Sequence, residues 1–208
     1  MTSSPSSLWR VVAVLALAVL ATTPSSLAAD RLPADVFAGY SYMKLEGVDR
    51  HGVNLAVSFS LAGVFSGFVD SSAHWGSEGL HGWIHRTDLT LMAGPGVRLG
   101  KRGGLVFFLR GLVGFVTDRT SYPEYTGAVA HSNSSLGVTA GGGFDLPVGS
   151  RLAIRAQADC LWSETPEGSA PAAASPVPPI VGTPGTGPSS LSTGFRASAG
   201  LVYRFGAP

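Results

Sequence analysis

The chain has 208 residues and a formal net charge of +1, long enough for one domain with a sizeable core and without the charge excess that would draw nucleic acid. Only 13% of its residues are charged, against about a quarter in ordinary domains, and its 28 glycines are roughly twice the usual share. Cys160 is the single cysteine, which excludes an intrachain disulfide and a cysteine-based zinc site.

Residues 1–29 read as a secretory signal. Arg10 supplies the positive start, Val11 to Ala21 the apolar stretch, and Ser26-Leu27-Ala28-Ala29 the small residues for cleavage after Ala28 or Ala29. That apolar stretch is shorter than the roughly 20 residues a spanning helix needs. No cysteine stands near the cleavage point, so no lipoprotein anchor is expected there.

The remainder, 30–208, reads as one all-β domain of eight strands. Asp35 to Glu46 places Val36, Ala38, Tyr40 and Tyr42 on one face, and a polar connection Gly47–Gly52 follows. Val53 to Leu61 alternates Val53, Leu55, Val57, Phe59 and Leu61 against Asn54, Ala56, Ser58 and Ser60. A turn at Ala62-Gly63 leads to a weaker strand from Val64 to about Ser71, then a loop from Ser72 to Thr87. Asp88 to Leu99 carries Pro95, a residue that cannot donate to a ladder. Gly100–Gly104 is a turn, Leu105 to Phe115 a strand, and Val116 to Ser134 a polar loop. Ser135 to Asp145 and Leu152 to Trp162 are strands joined by the short Leu146–Ser150. Ser163–Ser190 is rich in Pro, Ala, Ser and Gly and lacks the apolar content to order itself. Phe195 to Phe205 is the last strand, with Phe195, Ala197, Ala199, Leu201, Tyr203 and Phe205 on one face.

Two patterns select the architecture. The second, fourth and sixth connections are short; the third, fifth and seventh are long and the first intermediate, as in barrels with short periplasmic turns and longer external loops. Strands of about 9–11 residues cross a bilayer when tilted. The faces agree with that choice. Asp88, Arg98, Arg110, Asp145, Arg155, Asp159, Arg196 and Arg204 fall on one set of faces, and the opposite set is expected to carry no charge. A soluble barrel would turn those charges outward. Here they are expected inside, paired, because a lone buried charge is very costly. Gly94, Gly96, Gly141, Gly143 and Gly200 would make room for the arginines. The expectation is an eight-stranded antiparallel up-and-down transmembrane β-barrel with a plugged interior.

The Phe37-Ala38-Gly39-Tyr40-Ser41-Tyr42 start, the Gly141-Gly142-Gly143-Phe144-Asp145 segment and the aromatic-ended last strand resemble the small bacterial outer-membrane β-barrel family, which includes OmpA-like domains. The resemblance implies an integral outer-membrane location with loops facing outside, outer-membrane lipids as surroundings, and a last strand read by the barrel-assembly machinery. In that family the chain usually ends on the aromatic residue; here Gly206-Ala207-Pro208 follow Phe205. No peptidoglycan-binding domain is expected.

Other constellations are weaker. His74, His81 and His85 share one predicted loop with Trp75, Glu78 and Trp83; imidazoles suit Zn, Cu or Ni, but the spacing matches no compact motif, so a surface loop with interfacial tryptophans is expected. His131-Ser132-Asn133-Ser134 resembles the His-x-Ser of barrel-shaped lipid A deacylases, with Asp145 as the acid, but Asn133 stands where the nucleophile should. No enzyme, metal or cofactor is therefore expected. The leading function is structural or surface interaction with an external ligand or surface; a narrow porin-like channel or a lipid A-modifying enzyme are the alternatives.

Overall fold

A computed structural model describes residues 34–45, 47–78, 84–100, 104–121, 131–165 and 190–205. The signal expected at 1–29 lies outside the described residues. Eight strands, β1 (Ala34–Leu45), β2 (Val48–Ala62), β3 (Phe65–Glu78), β4 (Ile84–Gly100), β5 (Val106–Ser121), β6 (His131–Pro147), β7 (Leu152–Thr165) and β8 (Ser190–Phe205), form a closed barrel in sequence order. Every neighbouring pair is antiparallel, including β1 with β8. Closure leaves no unpaired edge, the condition for crossing a layer that offers the backbone no hydrogen bonds. Followed once around the wall, the pairing that starts at Ala34 returns to β1 at Lys44, ten residues further on. That stagger tilts the strands and fixes an interior just wide enough for side chains to fill.

The strands run longer than their composition indicates, nearly always at one end. β2 begins at Val48, so Gly47–Gly52 is not a loop but one turn at Gly47 (φ 82°) followed by strand. Most of Ser72–Thr87 is strand, because β3 continues to Glu78 and β4 starts at Ile84. Val116–Ser134 loses its two ends to β5 and β6 in the same way. Of the predicted loop Ser163–Ser190, residues 163–165 and 190 are strand; 166–189 lie outside the described residues. At the other end the turn is Gly63-Val64 rather than Ala62-Gly63, with Gly63 at φ 58°, where a side chain is strained and glycine is not. The end at which β1, β3, β5 and β7 finish is the loop end, and the end at which they begin is the turn end. Pro95 is accommodated within β4: the ladder to β5 passes from Ala93–Val113 to Gly96–Arg110, leaving a gap at Gly94 and Pro95.

Period-two alternation sorts the side chains. The outer face shows Leu109, Val113, Phe115, Leu136 and Leu201, each more than half exposed. A soluble monomer rarely exposes a contiguous apolar patch beyond a few hundred Å²; this one encircles the wall. Phe65, Phe107, Phe144, Tyr203 and Phe205 lie toward the turn end of that belt. Tyr40, Trp75, Phe115 and Phe195 lie toward the loop end. Aromatic girdles at both interfaces are a feature of membrane barrels.

Candidate functional site

The interior holds charges, aromatics and amides in three tiers. At the turn end Arg98 binds Asp35 and reaches Asp145 at 2.6 Å, and Arg155 meets Asp145 with two hydrogen bonds of 2.6 and 2.9 Å. Arg204 is buried at the same end. Above this lie Phe37, Phe68 and Phe108, all buried. The Arg155 guanidinium is 4.7 Å from the Phe108 ring centroid and 5.5 Å from that of Phe37, within the range of cation–π attraction.

The middle tier is a closed circuit. Asp159 accepts from Arg110 (2.8 and 3.1 Å) and from Arg196 (2.9 and 3.3 Å). Asp70 accepts from Arg196 at 2.8 Å and lies 3.0 Å from Arg110. That last contact is an ion pair without hydrogen-bond angles, since neither atom involved makes a hydrogen bond. Asn54 donates to Asp70 at 2.9 Å, and Gln157 donates to Asn54 at 2.9 Å, so five strands are tied across the bore. Gly141 faces this circuit, and a Cβ there would run into the Asp159 carboxylate. Bidentate arginine–carboxylate pairs are the strongest form of such contacts.

Toward the loop end, Met43, Met92, Leu112, Val116 and Leu161 form an apolar layer. Beside it, His74 hydrogen-bonds Ser41 at 2.8 Å, and Ser41 bonds Ser198 at 2.9 Å. Arg50 pairs with Asp88 and lies 3.9 Å from Asp118.

The eight residues predicted as an interior charge set all lie inside: Asp88, Arg110, Asp145, Arg155, Asp159, Arg196 and Arg204 are buried, and Arg98 is nearly so. Sequence reasoning missed Asp35, Arg50, Asp70, His74 and Asp118. The signal for Arg50 is its phase, two residues before Gly52 and four before Asn54. The expectation that the opposite faces hold no charge is overturned by Lys44 and Asp49, which pair at 3.5 Å on the exposed outer face at the loop end. There both faces leave the apolar belt, so charge is tolerated.

The histidines do not form one loop cluster. His74 is buried in the interior, His85 is exposed and within 3.2 Å of Ser77, and His81 lies outside the described residues. Among the described residues no group of three or more His, Cys, Asp or Glu is placed to hold a metal. His131 opens β6 and Asp145 lies near its other end, about 45 Å apart at ~3.3 Å per residue. Asp145 is engaged with Arg98 and Arg155, and Ser134 with Thr117 at 2.9 Å. The arrangement of a hydrolase is not assembled there.

No family model matches the chain, and no curated protein does. Solved structures do. It is similar to Ail, the attachment invasion locus protein of Yersinia pestis, with 15% identity, a TM-score of 0.51, and coverage of 85% of this chain and 100% of that one. Neisserial surface protein A gives 11% identity, a TM-score of 0.55, and coverage of 84% and 97%. The outer membrane protein OprG from Pseudomonas aeruginosa gives 11%, 0.51, and 85% and 97%. The chain has the fold of the small eight-stranded outer-membrane barrels.

Proposed function

We propose that the chain is an integral protein of the bacterial outer membrane, a rigid barrel that presents the segments at its loop end to the outside for contact with a ligand or surface. One observation carries this reading: the two faces are inverted relative to a soluble barrel, with an exposed apolar belt outside and salt-bridged arginines and aspartates inside. Burying apolar surface in lipid replaces burying it in a core. Strands of 12 to 17 residues exceed the ~9–11 needed to cross, so the surplus extends the wall beyond the belt at the loop end. Short connections lie at the opposite end, as on the periplasmic side of such barrels. The aromatic-ended β8 is the strand the assembly machinery would read.

A surface role is supported by the company of the fold: Ail bears the name of an attachment protein and its neighbour that of a surface protein. We read the chain as non-enzymatic, because His131 and Asp145 stand far apart and Asp145 is already spent on two arginines. A conducting pore would require the Arg110–Asp159–Arg196–Asp70 circuit to open, and each of these charges relies on the others for solvation. Planar bilayers test this. The refolded chain should insert, shown by slower or faster migration before heating, and should give no resolved conductance steps. Regular single-channel steps would replace the plugged platform with a narrow channel.

A further inference from the structure

The tiers of the interior do not balance alike. The middle one sets two arginines, Arg110 and Arg196, against two aspartates, Asp70 and Asp159. The turn-end tier sets three, Arg98, Arg155 and Arg204, against two, Asp35 and Asp145. Both of those aspartates are committed. Asp145 takes two hydrogen bonds from Arg155 and one from Arg98. Asp35 stands directly across from Arg204 in the β1–β8 ladder, yet its carboxylate is bonded by Arg98 from β4, whose Nη1 also donates to Ser58 at 3.2 Å. Arg204 is the guanidinium left over. Among the described residues its side chain has no hydrogen bond or ion pair, and its Nη2 is a buried donor without an acceptor.

Arg204 is 7% exposed, so it has lost nearly all of its hydration, and a buried charge without a partner is very costly. The tier is not sealed around it, however. Asp145 and Arg155 are fully covered, whereas the side chains of Arg98 and Asp35 keep 14% and 10% of their surface. The tier is therefore reached from the turn end, along the row Arg204, Asp35 and Ser58 that crosses β8, β1 and β2. Arg151 stands at the same end, exposed, with its carbonyl accepting the Arg204 backbone N–H at 2.8 Å. Its charge adds positive potential that draws anions toward the opening. A water molecule would accept from Nη2 and leave the charge unmatched. An oxyanion supplies both acceptor and charge, and two oxygens side by side fit the planar guanidinium fork.

We propose that Arg204 anchors an oxyanion site at the turn-end mouth of the barrel, which takes a single oxyanion group, free or at the end of a larger solute. The site stands on the interior geometry; the outer-membrane reading adds only that the periplasm would supply the ion. The test is isothermal titration calorimetry of the refolded chain in uncharged maltoside micelles, with inorganic phosphate, glycerol 1-phosphate, or chloride at matched ionic strength. The expected result is saturable binding of one phosphate per barrel and no saturable heat from chloride. Arg204→Gln should weaken phosphate binding about ten-fold or more, the scale of one lost charge-assisted hydrogen bond. Arg151→Gln, which removes an exposed charge, should weaken it no more than about two-fold. Without phosphate the Arg204→Gln variant should unfold on heating at the wild-type temperature or above it, since an unmatched charge is gone. Phosphate should raise the midpoint of the wild type alone. No saturable binding, equal heats from chloride, or an Arg204→Gln variant that binds as the wild type does would overturn the site. So would an equal loss in Arg151→Gln, which puts binding on the surface, or a lower midpoint of Arg204→Gln without phosphate, which means that Asp35 already serves Arg204. Glycerol 1-phosphate bound as tightly as phosphate supports a site open to the end of a larger solute; binding weaker by about ten-fold or more supports one for the free ion. Heat-dependent mobility on gels reports folding separately. If Arg204→Gln does not fold, Arg204→Lys keeps the charge without the fork and should lose about two- to three-fold in affinity; an unaffected Lys variant would overturn the site.

Discussion

The inside and the outside of this wall use the same backbone and opposite chemistry. Inside, Asp159 takes hydrogen bonds from two arginines and Asp70 faces both of them. Outside, at adjacent positions of the same strands, stand Ala156, Ala158, Ala197 and Leu201. The lesson concerns cost. A charge inside is surrounded by groups built to solvate it; on the belt it would have lipid alone. Apolar side chains are indifferent to which face they occupy only where a layer such as that of Met43, Met92, Leu112 and Leu161 excludes the polar groups.

Breaking the interior circuit at its most connected member should have the largest effect. Asp159→Ala leaves Arg110 and Arg196 buried, each deprived of its best acceptor. Removing one partner of a buried pair costs about 3–5 kcal/mol. Reversible unfolding from lipid vesicles in guanidinium should show that loss. A change under about 1 kcal/mol would mean that water already solvates the circuit.

The comparison sharpens at neighbouring residues of β7. Ala156 faces out and Gln157 is buried inside. Ala156→Arg should cost about 2–4 kcal/mol, the range for arginine facing lipid at the midplane. Gln157→Arg brings the same charge to the interior, within the network that reaches Asp70 through Asn54. Crowding in a filled bore limits the gain, and we expect a cost of about 1 kcal/mol. The same vesicle assay measures both. A larger loss for Gln157→Arg would reverse the assignment of the faces.

What the sequence made legible follows from the same contrast. Wherever lipid lies on one side and the plug on the other, alternation is sharp, and β7 and β8 can be read residue by residue. Beyond the belt both faces meet water or headgroups, and alternation fades. His74 to Glu78 and Arg50 to Gly52 have a loop's composition and a strand's geometry. Arg50 and His74 were hidden for that reason. Asp70 was hidden for another: it precedes Ser71 and Ser72, and three polar residues in a row obscure the phase. The ion-pair partners were not legible at all. Arg110 finds Asp159 across 49 positions of sequence, a meeting set by the barrel's stagger rather than by local spacing.

The smallest effect should come from the ion pair that Lys44 and Asp49 form on the outer face. Lys44 and Asp49 are 3.5 Å apart across the first turn, both more than half exposed, and β1 and β2 pair directly at these residues. An exposed pair gains little from Coulomb attraction in water and loses side-chain freedom in forming. Lys44→Ala and Asp49→Asn should each leave the guanidinium midpoint within the error of the measurement, at low salt and at high. A marked, salt-sensitive drop would place these side chains in the low-dielectric belt. The apolar wall would then reach higher at the loop end than Trp75 and Phe115 imply, and the boundary between the two chemistries would have to be redrawn above the first turn.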